Sequence, residues 1–170
     1  MEAALARARD AAARDPVARG LAAYLERHVA EEAHGDEPGG ALLDDLEALG
    51  VDVRRLREEP PAPQIAALVR AQRDWIEREH PVALLGFLEL EAYHPHGPTV
   101  ETLIERTGLP RDGFRQLLLH ARLDVAHARD LHRLLDRLPL EPQHERLIGL
   151  SALQTIASLA EALLDVVREG

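Results

Sequence analysis

Three residues in the segment HARLDVAHARDLH, residues 120–132, are of metal-binding types and recur at helical spacing: His120, Asp124 and His127. At about 100° per residue they fall within an arc of roughly 60°. The same step places Leu117 before them and Leu131, Leu134 and Leu138 after them, so the arc continues a leucine stripe that faces a core. Burying a carboxylate and two imidazoles among leucines costs several kcal/mol unless each finds a partner. A metal ion meets that cost, because it takes neutral imidazole and deprotonated carboxylate as ligands. A His–Asp pair hydrogen-bonded to a neighbouring helix, with one imidazole at the surface, meets it without a metal.

One helix cannot enclose an ion, so other segments must bring ligands to it. Leu21, Leu25, His28 and Glu32 keep a three-to-four spacing that puts Glu32 on an inward face, with His28 one turn earlier. Leu84, Phe87 and Glu91 do the same after Pro81. Two inward carboxylates facing an H-x3-D-x2-H helix form the pattern of a carboxylate-rich iron or manganese site in a bundle core. Each Glu could instead sit at the rim of an amphipathic helix. The string Glu31-Glu32-Ala33-His34 spells E-x-x-H, the ferritin-type ligand pair. Glu141-Pro142-Gln143-His144 spells it again, but at a Pro-containing helix start. A ferritin-like site needs two such pairs buried in paired helices, so that reading is weak.

The elements that must position these residues are helical throughout. Apolar residues recur every three or four positions, and alternating β-branched runs are missing. Turn signals divide the chain into helices over about 2–14, 16–34 and 41–49, the third closed by Gly50. REEPPAP is a loop. A long helix from about 63 breaks near His80-Pro81 and resumes to HPHGP. Thr99 is expected to cap a short helix ending at Gly108. The last two helices run from about 111 to 138 and from 143 to 168. These elements make a single all-α domain over residues 1–170, a bundle of seven or eight helices.

Composition narrows the chemistry. With 46% hydrophobic residues in 170, the chain can bury a core. It has no Cys, which removes disulfides, Cys-ligated zinc, iron–sulfur clusters and thiol nucleophiles. All the basic residues are Arg, so no Lys is present for a Schiff base. A net charge of −10 opposes nucleic-acid binding, which requires a concentrated basic surface. No uninterrupted apolar run approaches the ~18 residues that span a bilayer, and no apolar leader core marks export. The expectation is a cytoplasmic protein with neither nucleic acid nor membrane as partner.

On these residues the chain resembles the haem-oxygenase-like di-iron oxidases, the group called iron-containing redox enzymes. The resemblance covers most of the chain and rests on YLERHVAEE, LLDDLEALGVD, HPVALLGFLELEAYHP, TGLP with HARLDVAHARDL, and LPLEP. It implies a haem-oxygenase-like bundle that need hold no haem. It also implies Fe(II), two ions (with Mn as an alternative), which with O2 oxidise a small organic substrate. Glu32, His34, Glu91, His120, Asp124 and His127 would be the ligands, with His28, Glu31 and His80 supporting them or moving protons. Two departures accompany the likeness. Relatives often read E-E-x-G-H, whereas Gly35 stands at the His place here and His34 comes one residue earlier. On a regular helix His34 points about 160° from Glu32, so it serves only if the helix unwinds there. The chain is also expected to lack a first helix that supplies a further Glu in longer relatives. The rival readings are a metal-free enzyme using acid–base groups and a degenerate bundle that binds small molecules or regulates a partner. A homodimer is left open.

Overall fold

The computed structural model describes residues 1–32, 40–91 and 97–169, less the side chains of Glu31, Glu32, Glu91 and Glu169. The elements are α1 (Glu2–Ala11), α2 (Pro16–Glu32), α3 (Gly40–Ala48), α4 (Val53–Glu58), α5 (Pro63–Asp74), α6 (Leu84–Glu91), α7 (Gly97–Thr107), α8 (Arg115–Leu135) and α9 (Pro142–Glu169). Among the described residues there is no strand. They gather into two compact units. The first comprises Met1–Ala30, Pro61–Glu91 and Asp130–Gly170; the second comprises Glu31–Pro60 and Ala92–Arg129.

The first unit is built around an aliphatic core. Ala4, Leu5 and Ala8 of α1 meet Val17, Leu21 and Leu25 of α2, and Val82, Leu85 and Leu88 close the cluster around α6. Each fully buried Leu contributes about 1.5–3 kcal/mol. The turn into α2 is fixed by Asp15, whose Oδ1 accepts the N–H groups of Val17 and Ala18 at 2.8 and 3.0 Å. Pro16 at the first helical position loses no hydrogen bond there. The Asp15 carboxylate is pushed up by partial burial. The Ala18 N–H, the His80 ring and the Val17 N–H outweigh that and hold it below the ordinary value.

The expected break at His80-Pro81 is present and has a defined form. Trp75–Glu79 adopts one π-helical turn, His80 is extended as residues before proline are, and Pro81–Ala83 restarts the chain as a 3-10 turn. Further on, Gly86 is where α6 and α9 touch. A Cβ there would overlap the Ile148 carbonyl oxygen and stand 2.7 Å from the Ala152 nitrogen. Beside it, Gln72 of α5 exchanges hydrogen bonds with Ser151 of α9 at 2.8 and 3.2 Å. Thus α9 turns a small, hydroxyl-bearing face inward: Ser151, Thr155 and Ser158 are buried.

The opposite face of α9 is apolar and exposed. Pro142–Arg168 is long and apolar enough to cross a membrane by length and composition, and only 17% of its most apolar stretch is buried. Counting uninterrupted apolar residues hides this, because Gly149, Ser151, Gln154 and Thr155 interrupt the run.

The second unit holds α3, α4, α7 and the first part of α8. Gly50 and Gly108 end α3 and α7 with φ of +84° and +65°, as their positions predicted. Two expectations fail here. Thr99 lies inside α7, which already begins at Gly97. REEPPAP, expected as a loop, begins inside a helix, α4, whose start is fixed by Asp52 accepting the Arg55 N–H at 3.0 Å. Asp52 is an ordinary N-cap signal, obscured by the short helix and the Pro-rich loop behind it.

Candidate metal centre

The helix that carries the three candidate ligands is anchored by an acid that the sequence does not single out. Asp45 of α3 is 3% exposed. It accepts the Gln116 N–H at 2.7 Å and the Arg115 guanidinium at 2.9 Å. It therefore satisfies an open N–H of the first turn of α8 and sets the helix's direction. In ALLDDLEALG, Asp44 and Asp45 look like one solvated acidic pair. Only the pitch of α3 separates an exposed Asp44 from a buried Asp45. Just before α8, Gly113 lies against the Leu49 side chain, so that any larger residue would push α3 and α8 apart.

From that anchored start α8 runs for 21 residues without Gly or Pro. His120, Asp124 and His127 occur on one face, with side-chain exposures of 26%, 8% and 12%. The Nδ1 atoms of His120 and His127 lie 3.3 and 3.6 Å from the same oxygen, Asp124 Oδ1. The first distance is a weak hydrogen bond and the second is too long for one.

Adjacent ligands on one ion, each about 2.1 Å from it, stand roughly 3–3.5 Å apart. The His120 contact falls within that spacing and the His127 contact at 3.6 Å lies just beyond it, and two imidazoles with a carboxylate form a donor set suited to Fe(II) or Mn(II). Among the described residues, however, no three His, Asp or Glu side chains close into a metal-holding group. The face of α8 by itself thus brings together two imidazoles and one carboxylate. Glu32, His34 and Glu91, the remaining expected ligands, lie outside the described side chains, as does Glu31. Glu32 and Glu91 are the last residues of α2 and α6.

The expected supporting histidines separate into two kinds. His28 is buried and stacks on Tyr24, with ring centroids 5.5 Å apart and planes inclined by 15°. That is compatible with a role one turn before Glu32. His80 is held at two helix starts: its Nδ1 accepts the Val82 N–H at 3.0 Å and its Nε2 meets Asp15 Oδ2 at 2.8 Å. His144 of the second E-x-x-H likewise accepts the Glu141 N–H at 3.1 Å and caps α9. It packs against His80, with centroids 4.8 Å apart.

A model of the iron-containing redox enzyme family matches residues 10–160, and the chain belongs to that family. The match spans α2 through most of α9 and includes every expected ligand. The all-α architecture agrees with the haem-oxygenase-like bundle that the resemblance implies. Membership places the protein among iron-containing oxidoreductases. No curated protein and no solved structure matches the chain.

Proposed function

We propose that this protein is a non-haem iron oxidase that uses O2 at a two-iron centre to oxidise a small organic substrate. The observation that carries this is the His120–Asp124–His127 face of α8 in a chain of the iron-containing redox enzyme family. His120, Asp124 and His127 are the ligands from α8, Glu32 and His34 those from the end of α2, and Glu91 that from the end of α6. No haem is called for. Iron held by these residues would supply the redox chemistry with O2 that ordinary side chains lack.

The chain's own groups do the rest. The Asp124 carboxylate offsets positive charge while its burial keeps water from competing for the donors. The two imidazoles would bind the iron as neutral nitrogen donors. Asp45 holds the start of α8, so the three donors keep their register on the helix face. His28, stiffened by its stack on Tyr24, supports the Glu32 end of α2.

The test is O2 uptake by the full chain after anaerobic loading. Fe(II)-loaded protein should consume O2 faster than Fe(II) in buffer, and zinc-loaded protein should consume none. His127→Ala should bring the rate down to that of free Fe(II). Uptake no faster than free Fe(II) in the wild type, or equal uptake by His127→Ala, rejects the oxidase assignment.

A further inference from the structure

The last five turns of α9 carry two faces of opposite character. Ser151, Thr155 and Ser158 face inward, toward α5 and α6. On the other side, Leu153, Ile156, Ala160, Leu163 and Val167 recur at alternating spacings of three and four, and all are exposed. Leu153, Leu163 and Val167 are 65%, 67% and 77% exposed. This is the seam spacing of a helix that pairs with another helix, in which each residue fits a hole between four residues of its partner. Leu159, Leu164 and Val166 widen the seam on both flanks and are exposed too. Four of these residues lie beyond residue 160, where the family match ends.

Size and charge indicate what covers this face. Seven large apolar side chains between Leu153 and Val167 stand 39–77% exposed on it, enough to form one side of a helix–helix contact. Monomers seldom leave so long a contiguous apolar face uncovered. The seam carries no charge, so two copies of it can meet without desolvating one. Glu161 and Asp165 lie about 100° or more round the helix from it. A lipid surface fits less well. Helices that lie on anionic membranes carry Lys and Arg on the polar face. Here Glu161 and Asp165 outnumber a single Arg168, itself paired with Asp165 at 3.2 Å, in a chain of net charge −10.

We propose that the Leu153–Val167 face of α9 is the contact surface of a homodimer, covered by the same face of a second copy of this chain. The pairing is independent of metal and of the oxidase reading.

Sedimentation velocity of the full chain, with and without phosphatidylcholine–phosphatidylglycerol vesicles, tests it. The wild type should sediment as a dimer at micromolar concentration and leave the vesicles unbound. Leu153→Glu/Leu163→Glu alters only exposed positions and should be monomeric with unchanged helix content. If that variant loses helix content, Val167→Asp on the final turns provides the same reading. A wild-type monomer throughout, an open-ended assembly, a dimer unaffected by folded seam variants, or a monomer that floats with vesicles each overturns the proposal.

Discussion

Asp124 and His132 stand a little over two helical turns apart on α8 and show two fates of a charged group. Asp124 is 8% exposed and lies between two imidazoles, where its charge must be answered locally. His132 is half exposed and meets Glu89 of α6 at 2.8 Å. The hydrogen bond and charge of Glu89 raise the His132 pKa above its ordinary value. A raised folded value means the pair stabilises fully below the unfolded value near 6.5 and ceases to do so as pH climbs through the folded one. The Glu89→Gln variant should therefore lose stability relative to wild type at pH 6 and lose less at pH 8.5. Solvent screening limits the effect to about 1 kcal/mol or less. Urea midpoints at the two pH values measure it, and a difference that grows with pH contradicts the assignment. The triad itself was legible as residues, because three polar groups on a leucine stripe stand out. Asp45 was not, because burial of one acid in a pair depends on a partner helix 70 positions away.

At the scale of elements, three helix starts in the first unit are tied by side chains: Asp15 at α2, His80 before α6 and His144 at α9. Replacing Asp15 by Ala should cost about 1–2 kcal/mol at neutral pH, as loss of a good N-cap does. A depressed carboxyl stabilises above its unfolded value near 3.8 and stops doing so as pH falls through the lower folded value. The Asp15→Ala penalty should therefore shrink below about pH 3.8, which thermal melts across that range would show. Gly86 answers to packing instead. Gly86→Ala sets a methyl group against the α9 backbone and should destabilise by about 1–3 kcal/mol or more, despite Ala being the better helix former. A stabilised Gly86→Ala variant would mean that α6 and α9 do not touch there. Helix identity and the glycine stops were legible from periodicity and turn chemistry. The starts of α4 and α7 were not, since short helices owe their ends to tertiary contacts more than to local signals.

For the whole molecule, the sequence revealed the all-α class and the iron-dependent family, because both rest on patterns repeated over many residues. It concealed the exposed face of α9, since an apolar residue reads the same whether it faces a core or water. It named Glu32, His34 and Glu91 as the partners of His120, Asp124 and His127 in the proposed centre, and those three side chains lie outside the described ones. Iron stoichiometry tests that centre. After anaerobic loading with Fe(II) and removal of loose metal, the wild type should retain close to two irons per chain. A value near one would mark an incomplete α2 end. Asp124→Ala and His127→Ala should each lose most of the iron while keeping wild-type helix content. Wild-type protein that retains no iron, or folded variants that both retain as much as the wild type, would contradict a metal centre on α8.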